Sequence, residues 1–75
     1  MMRRMGEMEL GGRARIVGLA GAETAFGRRL YALGFTPGSP VECIAVSPLG
    51  DPRAYRVKGT VIALRRRDAM AVYVE

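Results

Sequence analysis

One thiol, no imidazole and seven carboxylates are all that the chain offers for metal or nucleophilic chemistry. Ser-His-Asp and Cys-His catalysis both need an imidazole to carry the proton, so both are excluded. A zinc or iron centre draws on several Cys, His or clustered carboxylate ligands. Cys43 stands between Val41 and Ala45 in an alternating apolar pattern and reads as a buried, inert thiol. A reactive thiol needs exposure and a basic neighbour, and Glu42 beside it gives no such help. Glu9, Glu23, Glu42 and Asp51 form no close pair, so acid/base work by two carboxylates has no support. No catalytic residue, metal ligand or cofactor is expected, and function narrows to binding, interaction or regulation.

The basic residues are the richer signal. Eleven arginines and one lysine face seven acids, a net charge of +5. Such a surplus suits nucleic acid, an anionic membrane surface or an acidic protein. Arg65-Arg66-Arg67 is a solvated turn or a patch for phosphate or an acidic surface, and Arg28-Arg29 could extend it only if their helix packs nearby. Tyr31, Tyr55 and Tyr73 are not interleaved with the bases as in single-strand platforms, so nucleic acid is not the expected partner. Pro48-Leu49-Gly50-Asp51-Pro52 lacks the glycines and the Lys-Ser/Thr pair of a phosphate loop. Leu49 at its tip and Phe35 just past a helix end are apolar residues where contacts often sit. Phe35 has a competing reading as the hydrophobic contact that closes a helix cap. The candidate partner contacts are therefore Arg28, Arg29, Phe35, Leu49 and Arg65.

These residues need a scaffold, and 75 residues allow one small domain. An apolar fraction of 49% and a charged fraction of 25% are those of a globular chain. The longest uncharged run, residues 30–41, is too short for a bilayer and is broken by Gly34, Pro37, Gly38 and Pro40. No apolar signal segment follows the starting Met-Met-Arg-Arg, so the chain reads as cytosolic. Residues 1–8, methionines mixed with charges, read as a loosely ordered start, and 9–75 as the folded domain.

Arg13 to Val17 alternates in part, with Ala14 and Ile16 inward, as a half-buried strand does. Residues 24–33 carry Phe26, Leu30 and Leu33 as an apolar helical stripe, with Gly34 suited to the C-terminal cap. Gly27 inside that helix should cost ~1 kcal/mol against alanine. Pro40 to Val46 is a second strand, with Val41, Cys43 and Ala45 on one face. Ala54 to Lys58 is a third, with Tyr55 and Val57 inward, and Gly59 marks a bend. Thr60 to Leu64 is a fourth strand, Arg65 to Ala69 a single helical turn, and Ala71 to Val74 a fifth strand. The expected fold is mainly β: a small five-stranded SH3-like barrel with one α-helix between strands 1 and 2, closed so that most strand edges disappear.

Five segments in order carry a family resemblance: Ala14 to Gly18, Arg29 to Gly38, Pro48 to Pro52, Tyr55 to Gly59 and Ile62 to Arg65. Across about residues 9–75 the chain resembles the FeoA family, small accessory proteins of bacterial ferrous-iron uptake. The resemblance implies an SH3-like barrel that works with FeoB, a permease with a cytosolic G-protein domain, and so reaches the membrane only through that partner. The same module is similar to the C-terminal domain of iron- and manganese-dependent repressors, whose winged helix is absent here. A nucleic-acid-binding or metalloregulator-type module is the alternative. A homo-oligomer is left open, and any site that relatives build with His does not carry over.

Overall fold

A computed structural model describes residues 2–75. The chain forms β1 (Arg3–Arg4), a 3-10 turn (Met5–Glu7), β2 (Arg13–Leu19), α1 (Ala25–Ala32), β3 (Pro40–Val46), β4 (Arg53–Val57), β5 (Thr60–Leu64), α2 (Arg66–Ala69) and β6 (Val72–Val74). All pairings are antiparallel, in the order β1-β6-β2-β3-β4-β5. The fold is therefore mainly β, as expected, with β1 as a sixth strand.

β2 turns the corner of the sheet. Arg13–Arg15 pair with β3, whereas Ile16–Leu19 pair with β6, and the register shifts between Ile16 and Gly18. A strand shared between two partners across such an irregularity bends the sheet around a core. A second shift, between Cys43 and Ala45, interrupts the alternation of β3. Val41 and Cys43 are buried, but Ala45 is exposed and Val46 packs on the core instead. In β4, Tyr55 and Val57 point inward as expected. Lys58 and Gly59, at φ 48° and 76°, form the two-residue turn into β5.

The start of the chain is more ordered than its composition suggests. Arg3 and Arg4 pair with Val74 and Tyr73, and the Arg4 guanidinium lies 5.6 Å from the Tyr73 ring centre. Met5 and Met8 are buried. A fully buried methionine gains about 1.5–3 kcal/mol over an exposed one, which outweighs the polar flanks.

The strand ladder itself does not close, because β1 and β5 do not pair. Side chains span this opening instead. The Tyr55 hydroxyl donates to the Met5 carbonyl at 3.2 Å, Arg53 Nη1 donates to the Met8 carbonyl, and Arg66 Nε donates to the Gly6 carbonyl at 3.2 Å. The expected removal of strand edges is thus incomplete, and the backbone of β5 takes no part in the closure.

Burial pushes the Tyr55 hydroxyl above its ordinary value of 10.0, with Arg53 opposing. The folded state then holds the phenolic proton more tightly than the unfolded state. Stability is therefore full below about pH 10 and falls as the pH rises beyond it. Tyr55→Phe should cost about 0.5–1.5 kcal/mol near neutral pH, by removing one of the two hydrogen bonds that the Met5 carbonyl accepts (the other comes from Met8 N–H), and should remove much of the alkaline loss. Urea melts of both proteins at neutral pH and above pH 10 check the two effects.

Candidate functional site

α1 begins where Thr24 caps it: Gly27 N–H donates to Thr24 Oγ1 at 3.0 Å, and Thr24 Oγ1 donates to the Gly21 carbonyl at 2.6 Å. It ends at Gly34, φ 115°, with Gly34 N–H bonded to the Tyr31 carbonyl and Phe35 N–H to the Leu30 carbonyl. This double closure is accompanied by contact between the apolar residues it joins. Phe35 is 0% exposed and lies in the core with Leu30. Phe35 is thus not a contact residue; its side chain closes the helix cap from within.

The expected helical stripe is also corrected. Gly27 and Leu30 are the buried positions of α1, while Phe26 and Leu33 stand partly exposed. The cause is the loop before the helix. A Cβ at Gly27 would lie 2.2 Å from the Gly21 carbonyl oxygen and 2.7 Å from Ala22 Cα, so the helix meets that loop on its glycine side.

The remaining candidates fall into two groups. Arg28 and Arg29 are exposed on α1, where Arg28 Nη1 donates to the Glu23 carbonyl at 3.0 Å. Leu49, 95% exposed, tips the β3–β4 loop. Arg66 N–H donates to Asp51 Oδ1 at 2.8 Å, which fastens this loop to the start of α2 and brings Leu49 and Arg65 to the same end of the sheet. The other end holds the Lys58–Gly59 turn, where Lys58 Nζ donates to Thr36 Oγ1 at 3.2 Å, just past α1.

Between these ends lies a feature that sequence reasoning missed. Arg13, Glu42, Arg56 and Val61 are successive partners across β2, β3, β4 and β5. Glu42 receives Arg56 at 3.3 Å and Arg13 at 3.8 Å. A groove of about 340 Å³ runs here, lined by Arg13, Ala14, Pro40, Glu42, Arg56 and Lys58 among others. Three bases against one acid give it a positive rim over aliphatic walls. The signal was present as outward positions of adjacent strands, but only the register aligns them.

Among the described residues, no three His, Cys, Asp or Glu side chains gather to hold a metal ion. Cys43 is buried and free. No helix among the described residues is long and apolar enough to cross a membrane. Among the described residues, the arrangement offers a basic surface in which Arg13, Arg56 and Lys58 outnumber Glu42.

Comparison with known proteins agrees with this architecture. The FeoA domain model matches residues 3–75. The chain is 35% identical over 72 residues to an Fe(2+) transport protein A/Fe(2+) transporter FeoB fusion protein of Porphyromonas gingivalis; the match covers 96% of this chain and 8% of that protein. It is similar to the solution structure of FeoA from Chlorobium tepidum, with a TM-score of 0.88 at 33% identity over 97% of this chain and 69% of that one. It is similar also to Stenotrophomonas maltophilia FeoA complexed with zinc, described as a unique procaryotic SH3 domain protein, with a TM-score of 0.87 at 33% identity over 97% and 89% of the two chains. The SH3-like architecture and the match along residues 3–75 together place this chain in the FeoA family.

Proposed function

We propose that this protein is an accessory protein of ferrous-iron uptake that acts by binding the cytosolic G-protein part of a FeoB-type permease. The observation that carries this reading is the Porphyromonas gingivalis relative, in which a similar segment belongs to a fusion protein with the transporter. Fusion raises the effective concentration of two modules that work together, so it supports association between the separate chains. The description of the Stenotrophomonas protein as possibly a transport-activating factor points the same way. The surface fits the role: a basic rim speeds encounter with an acidic partner and makes it salt-dependent. With no imidazole in the chain, the protein works by being bound rather than by turnover.

An in-frame deletion should reduce Fe(II) uptake and leave Fe(III) uptake intact, as read by radiolabelled iron accumulation. Unchanged Fe(II) uptake in a clean deletion contradicts the reading. Leu49 gives a finer test. It makes no core contact, so Leu49→Ser should keep stability within about 0.5 kcal/mol. The same change should weaken binding to the permease's cytosolic part, measured by calorimetry.

A further inference from the structure

Among the described residues, β5 has one neighbour, β4, and its other edge is unpaired. The two-residue Lys58–Gly59 turn makes Val57 and Thr60 a hydrogen-bonded pair, so Tyr55–Ile62 and Arg53–Leu64 are bonded pairs too. The intervening Val61 and Ala63 turn their N–H and C=O groups away from β4. Neither residue makes any other backbone bond among the described residues. The strand Thr-Val-Ile-Ala-Leu carries no charge, no proline and no register shift. It therefore lacks the devices with which proteins usually protect an edge. Val61 is 55% exposed beside it.

The charges around this edge decide what fits it. Lys58 stands at one end of β5, Arg65 and Arg67 at the other, and Arg56 flanks Val61, all exposed. Asp51 is committed to Arg66 N–H, and Glu42 to Arg13 and Arg56. A second copy pairing antiparallel about Ile62 would bring the Lys58 end of each β5 to the Arg65–Arg67 end of the other, a like-charge approach that disfavours self-pairing. An acidic strand meets bases at both ends instead.

We propose that the open edge of β5 captures an extended acidic segment of the partner, which joins the sheet as the strand after β5 through the backbone of Val61 and Ala63. This deepens the permease reading and rests on it for the partner's identity, but the edge can be tested by itself.

The test is amide exchange of the whole 15N-labelled protein with three probes: the permease's cytosolic part, a capped Glu-Val-Thr-Val-Asp peptide, and its Lys-Val-Thr-Val-Lys counterpart. The expected result is exchange at Val61 and Ala63 slowed by about tenfold or more by the first two probes and not by the third. Val61→Pro removes one outward N–H at an edge position that tolerates proline, and should weaken binding by about tenfold with the melt little changed. If Val61→Pro proves unfolded, the wild-type exchange data decide alone. Binding of the permease part with both amides still exchanging freely overturns the edge proposal and leaves the permease reading standing. Protection by the acidic peptide with no binding of the permease part overturns the permease reading and supports the edge. Protection that grows with protein concentration alone, or that generic RNA produces and the acidic peptide does not, overturns the proposal.

Discussion

Gly27→Ala should destabilise this protein, although the same change in an open helix stabilises by about 1 kcal/mol. The added methyl would sit 2.2 Å from the Gly21 carbonyl oxygen and 2.7 Å from Ala22 Cα. Both are backbone atoms, so no flexible side chain can move aside. The loop is held in place by Ala20 N–H on the Ala71 carbonyl at 2.7 Å and by Thr24 on Gly21. Helix and loop must therefore part, at an overpacking cost of about 1–3 kcal/mol or more. The net expectation is a loss of up to about 2 kcal/mol, against a total of roughly 4–11 kcal/mol for a domain this size. A urea midpoint at or above that of the wild type would show that α1 does not rest on this loop.

Phe35→Ala should have the larger effect. Phe35 is fully buried among Leu30, Val41 and Val57 in the core cluster. Truncating a core phenylalanine costs about 3–5 kcal/mol, which takes most or all of the stability at the lower end of the range for a domain this size. Loss of chemical-shift dispersion and of the cooperative melt is the expected outcome. A variant that kept its melting temperature but lost its partner would make Phe35 a contact residue and contradict its burial.

Strand positions were legible because alternation survives wherever the pairing is regular. Tyr55 and Val57 face inward as the pattern of β4 requires. In β3 the pattern misleads after Cys43, since the register shift that exposes Ala45 leaves no mark in an all-apolar run. The start of the chain was illegible for a related reason. Met5 and Met8 have no period to betray them, and their burial depends on Tyr55, Arg53 and Arg66 reaching across the opening of the sheet. The helix illustrates a third limit. Phe26, Leu30 and Leu33 make a plausible stripe, yet a glycine marks the packed face because backbone approaches backbone there.

The candidate site divides along the same line. Leu49 and the arginines are exposed, as loop and helix positions generally are. Phe35 moves to the core because the cap at Gly34 folds it inward. The open edge of β5 depends on a pairing that does not form, and no local pattern encodes a missing neighbour.

The central claim, a basic barrel made to be bound by the permease's cytosolic part, is tested most directly by calorimetric titration of the two purified proteins at ionic strengths of about 0.05 and about 0.5 M. The account predicts saturable binding at the lower strength and clear weakening at the higher one, with no turnover of added nucleotide by the small protein alone. Absence of binding at the lower strength, with both proteins folded, would contradict it.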